Sequence, residues 1–132
     1  MPRLVKGAKW TFGWVIVGSN REIIIPRDAW DEYNFKVGNE AIFMPGSKKS
    51  GGFGISTLAL LKKASKKMKG AKLKELGRGI FKERCTILPE ELDYKPGDRL
   101  LTVRGSGFAL GFIAKGPVYN EALKNPELET YK

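Results

Sequence analysis

Apolar and polar positions alternate in short runs along most of this chain. Trp14-Val15-Ile16-Val17, Ile23-Ile24-Ile25, Ala41-Ile42-Phe43-Met44 and Phe53-Gly54-Ile55 are brief, rich in β-branched and aromatic residues, and bounded by Gly, Pro, Asn or Ser. Each predicts a strand. Pro26 ends the second run, and Asp28 to Tyr33 reads as a short helix, with acidic residues near its first turn where the helix dipole favours them. Asn34 and Gly38 bracket its end, and the stretch from Gly46 to Gly54 reads as an exposed hairpin tip.

The second half gives a shorter version of the same series. Thr86-Ile87-Leu88 predicts a strand that ends at Pro89, and Glu90-Glu91-Leu92 a single helical turn. Tyr94 to Asp98 is a stop signal, Leu100 to Val103 a strand, and Gly105-Ser106-Gly107 a tight turn. The last strand places Phe108, Leu110 and Phe112 on one face. With Pro26 set over Pro89, Ile24-Ile25 falls on Ile87-Leu88 and Arg21 on Arg84. After about one extra helical turn in the first copy, Phe35 to Asn39 falls on Tyr94 to Asp98 and Ala41 to Met44 on Leu100 to Val103. Gly46-Ser47 then falls on Gly105-Ser106, and Gly52-Phe53 on Gly107-Phe108. One β-α-β-β unit is repeated. A single copy cannot bury its apolar faces, and two packed copies can close into a small barrel.

The segments outside the repeat differ in character. Residues 56–77 form a basic helical insert in which Leu58, Leu61 and Met68 fall at helical spacing and lysines fill the other face. Gly70 weakens that helix, and Gly77-Arg78-Gly79 reads as a flexible joint. Residues 116–132 read as a short helix from about Val118 to Lys124, stopped by Asn125-Pro126. The organisation expected is one domain over residues 1–132, with repeats at 13–55 and 78–115.

Composition narrows the function classes. The chain has 132 residues, no histidine and one cysteine, Cys85. The commonest general base and metal ligand are therefore missing, no nucleophile–base pair can be named, and the expectation is a non-enzyme without cofactor or metal. No disulfide framework is available, no apolar run reaches the length of a membrane span, and the first residues lack the apolar region of a signal peptide. The expected location is the cytoplasm. Cys85 lies beside Arg84, which would lower its pKa, yet without a base partner it reads as a buried strand residue.

Net charge is +10, and residues 56–84 hold 10 basic groups against 2 acidic ones. A polyanion partner follows, nucleic acid before a membrane surface, since the insert has no aromatic anchor.

The repeated motif itself resembles a known family. A strand ending in Ile-Pro, a short helix, then Lys-x-Gly-Asp and a strand is similar to the AbrB/SpoVT/MazE type of swapped-hairpin domain. The residues that carry the resemblance are Ile25-Pro26 with Lys36-Val37-Gly38-Asn39, and Leu88-Pro89 with Lys95-Pro96-Gly97-Asp98. The tail from Glu121 to Glu129 also resembles the ending of some members. The resemblance implies a mainly β fold with short helices, a small swapped-hairpin β-barrel built by one chain as a pseudo-dimer. It further implies a DNA-binding regulator or an antitoxin. Arg21 and Arg84 stand one position from the arginine that precedes the family's Ile-Pro strand, and Arg78 lies near a further basic position. Trp30 and Asp31 stand where the family carries paired arginines.

Two function classes result. In the first, duplex DNA is held through phosphate contacts from Lys62, Lys63, Lys66, Lys67, Lys69, Lys72 and Lys74, with Lys48 and Lys49 on the hairpin tip and Arg21, Arg78 and Arg84 beside the strands. In the second, the basic helix docks on an acidic protein, as in an antitoxin-like module or an assembly adaptor. The chain is expected as a monomeric pseudo-dimer or a homodimer. The glycine-rich stretch around Lys48 lacks the Gly-Lys-Ser/Thr ending of a phosphate loop.

Overall fold

The backbone was described from a computed structural model over residues 3–5, 9–46, 51–67, 75–104, 109–124, 128 and 130–131, with side chains omitted at 3–5, 9–10 and 64–67. The described residues form β1 (Arg3–Val5), β2 (Lys9–Ile16), β3 (Glu22–Ile24), α1 (Arg27–Glu32), β4 (Glu40–Pro45), β5 (Phe53–Ser56) and α2 (Leu58–Lys67). They continue with β6 (Gly77–Ile80), β7 (Cys85–Ile87), β8 (Arg99–Arg104), β9 (Leu110–Ile113), α3 (Pro117–Leu123) and β10 (Thr130–Tyr131). The fold is mainly β, with short helices.

Strands follow the order β1-β2-β8-β9-β5-β4-β6 in one sheet, β10 adds to β2 in parallel, and β3 and β7 form a separate antiparallel ribbon. The barrel expected from sequence does not close among the described residues. β6 stands at one end of the path, while at the other end β2 extends to eight residues and takes β1 and β10 as neighbours. The strand that would have to meet β6 is thus already paired within its own chain.

The registers show how the two copies relate. In the ribbon, Ile23 faces Thr86, Glu22 faces Ile87 and Ile24 faces Cys85. In the sheet, Gly54 faces Gly111, Phe53 faces Phe112 and Ile55 faces Leu110. Both pairings read the same when the two halves are exchanged. β2 pairs with β8 of the second half, and β6 pairs with β4 of the first. The turns repeat this relation. Val17 donates its N–H to Asp98 and accepts from Gly97, while Phe81 donates to Asn39 and accepts from Gly38. Gly38 and Gly97 have φ of 90° and 92°, a left-handed conformation that glycine adopts without steric cost.

Several local expectations are corrected. Gly77-Arg78-Gly79 is not a joint but most of β6, and glycine serves there for close approach. A Cβ on Gly79 would lie 2.6 Å from Thr86 Oγ1, and one on Gly77 would lie 2.7 Å from Pro89 Cβ. Glu90-Glu91-Leu92 is a turn without a helix. The hairpin register pairs Gly54 with Gly111 and makes Phe53 the counterpart of Leu110, two residues from the expected match to Phe108. A two-residue slip preserves the strand face, so the apolar pattern could not reveal it.

The core lies between sheet and ribbon. Ile23, Ile25, Phe43, Phe53, Phe81, Leu88, Leu100 and Phe112 belong to one buried cluster, with Trp30 packed partly against it. Phe53 and Phe112 stack at 4.9 Å where the two halves meet. Each fully buried phenylalanine contributes roughly 1.5–3 kcal/mol. Trp14 belongs to a smaller cluster under α3 with Leu101, Val103 and Leu128.

Candidate nucleic-acid interface

The cationic helix α2 begins where β5 ends. Thr57 is buried, and its Oγ1 accepts the Leu60 N–H at 3.3 Å, which stops the strand and caps the first turn. Leu60 anchors the helix on the main core, while Lys62 and Lys63 are exposed. Positions 66 and 67 follow one helical turn beyond 62 and 63, so α2 carries four lysines and no acidic residue. Lys48, Lys49, Lys69, Lys72 and Lys74 lie outside the described residues, as do the side chains of Lys66 and Lys67.

The strand-flanking arginines are not equivalent. Arg21 is half-buried with φ of 62°; its Nε donates to the Tyr94 carbonyl at 3.0 Å, and its Nη2 donates to the carbonyls of Pro89 and Leu92. The reason lies in the missing helical turn of the second copy. In the first copy, α1 satisfies its own carbonyls, with Trp30 donating to Pro26 and Tyr33 to Ala29. The shorter segment after Pro89 closes the Leu92-to-Pro89 bond, and Arg21 reaches across to the carbonyls of Pro89, Leu92 and Tyr94. Arg84, its counterpart, is half-buried and lines a groove on the outer side of the ribbon.

Arg78 stands exposed on β6, where its Nε and Nη2 both donate to Glu75 at 2.9 Å and its Nη1 to Glu40 at 3.4 Å. These bonds raise the Arg78 pKa above its ordinary value, and the Arg78 bond lowers that of Glu75. Arg104 is bound to Glu32 of α1, and the Arg99 guanidinium sits 5.0 Å over the Trp14 ring.

The groove beside Arg84 has a volume of about 260 Å³ and is lined by Ile24, Trp30, Val37, Glu83, Arg84 and Cys85. Burial pushes the Cys85 thiol up, and the Glu83 and Glu22 carboxylates add to this against the opposing pull of Arg84. The cationic neighbour does not prevail, so the lowering expected from Arg84 is not met, and Cys85 is half-buried where a buried strand residue was expected. Among the described residues no cluster of Cys, Asp and Glu could hold a metal ion, and no helix is long and apolar enough to cross a membrane.

Three groups expected to act together are thus separated by role. α2 carries exposed lysines, Arg21 is an internal brace, and Arg78 is neutralised by two carboxylates. The signal that could have exposed the brace is the length difference between the copies, since a shortened turn leaves carbonyls to be satisfied. Compared with known proteins, the chain matches no family model, no curated protein and no solved structure.

Proposed function

We propose that this chain is a DNA-binding regulator of the swapped-hairpin type, with both halves of the usual dimer fused, and that α2 supplies its phosphate contacts. The observation that carries the reading is the lysine-bearing helix without an acidic residue, anchored by Leu60 beside a sheet of two exchangeable halves. Lysines near phosphates release counterions and give affinity that falls steeply with salt. Selectivity would come from DNA shape.

The test is titration of a labelled duplex at several salt concentrations, with the full chain and with Lys62, Lys63, Lys66 and Lys67 changed to Gln. The expected result is binding at low salt and a slope of log K against log salt that becomes shallower by about 3–4 in the variant, at 0.9 per lost contact. Absence of binding at low salt, or an unchanged slope, would remove the proposal.

An acidic protein partner is the second reading. It is favoured by the engagement of Arg21, Arg78 and Arg104 within the chain, because these are the planar forks suited to base edges. Retention of a protein partner with no DNA affinity would select it.

A further inference from the structure

The β3–β7 ribbon buries one side and exposes the other. Ile23 and Thr86 point into the molecule, at 0% and 2% exposure. Glu22, Ile24, Cys85 and Ile87 alternate with them and form the outer face. Ile87 is 56% exposed and Val37, at the edge of the adjoining groove, 64%. Trp30 and Ile24 floor that groove. Val37 borders this recess, and Ile87 stands exposed further along the same face of the ribbon.

The charges around this face choose among occupants. Glu22, Glu83 and Arg84 all lie close enough to Cys85 to act on its thiol, so the patch carries both signs in a chain whose net charge is +10. A nucleic acid would be repelled by the two carboxylates, and a strongly acidic protein likewise. A mixed patch is self-complementary: a second copy turned about a two-fold axis brings its carboxylates to Arg84 and its aliphatic residues to Val37 and Ile87.

We infer that the outer face of the β3–β7 ribbon, with the Trp30–Val37 groove, is the interface through which two copies of this chain associate. The contact is isologous, with Ile87 and Val37 as its apolar centre and Arg84 paired to the partner's carboxylates. It is independent of whether the chain binds DNA.

Sedimentation equilibrium over a range of concentrations tests it. The expected mass rises from 14.7 kDa towards twice that value. Val37→Glu and Ile87→Glu together should weaken association by about tenfold or more, while circular dichroism stays unchanged because both positions are exposed. A short bismaleimide should join two wild-type chains through Cys85, and joining should fail after Cys85→Ser and diminish in the Glu variant. A monomer at every concentration would overturn the inference. So would a dimer whose affinity the double variant leaves unaltered, since the interface would then lie elsewhere.

Discussion

Arg21 and Arg84 occupy matching positions and do different work. Arg21 spends its guanidinium on three carbonyls of the second half, whereas Arg84 faces the groove. Removing this charged donor takes the side-chain bond from the part-buried Leu92 and Tyr94 carbonyls, while the Pro89 carbonyl keeps the Leu92 N–H. Arg21→Ala should therefore cost about 2–3 kcal/mol of stability. Arg84→Ala, made in the Val37→Glu, Ile87→Glu background that weakens the contact between copies, should stay within about 0.5 kcal/mol, as a surface change does. Urea denaturation of both variants measures the contrast, and equal losses would show that the carbonyl brace is not what stabilises this corner. Nothing in the local sequence separates the two arginines, because each stands five residues before its proline. The difference arises from carbonyls about 70 residues away, and such information enters only with the tertiary structure.

The elements defined by proline and glycine punctuation were the most legible. Pro26, Pro89, Gly38 and Gly97 mark turns wherever they stand, since their backbone preferences act locally. β6 was illegible for the same reason. Two glycines in three residues look like a joint, but their purpose is to let the sheet approach the ribbon. Gly79→Ala should cost about 1–3 kcal/mol by forcing Thr86 and the Ile87 carbonyl outward. Gly54→Ala is the control. Its Cβ would meet the Leu110 carbonyl at an ordinary 3.5 Å, so the change should be neutral or stabilising by up to about 1 kcal/mol. Thermal denaturation of the pair tests whether close packing of β6 on β7 accounts for the glycines. The candidate site was partly legible at this scale. The lysine helix stands out by charge, but its anchoring by Thr57 and Leu60 does not.

At the scale of the whole molecule, β2 pairs across to β8, β6 to β4, β5 to β9 and β3 to β7. Each half keeps its own hairpin, β4–β5 or β8–β9, but the other pairings of these strands come from the opposite half. Fragments 1–67 and 75–132 should each lack cooperative unfolding, and mixing them should restore the β signal in circular dichroism. A fragment that folds alone would contradict the arrangement. The repeat let the packing of two copies be expected, because one unit is too small to bury its apolar residues. It could not announce that the sheet stays open, since that depends on β1 and β10 having settled against β2.

The exchange of strands between unlike halves has a genetic corollary. In an assembly of identical protomers every substitution is received twice, at both related positions, and an asymmetric improvement cannot be tried. Here Phe43 stands where Thr102 stands in the other half, and Trp14 where Arg78 stands. Each position can therefore be altered singly. Dilution cannot part the halves either, because the peptide chain holds them at a fixed local concentration. One half is thus at liberty to drift towards new contacts while the other keeps the shape.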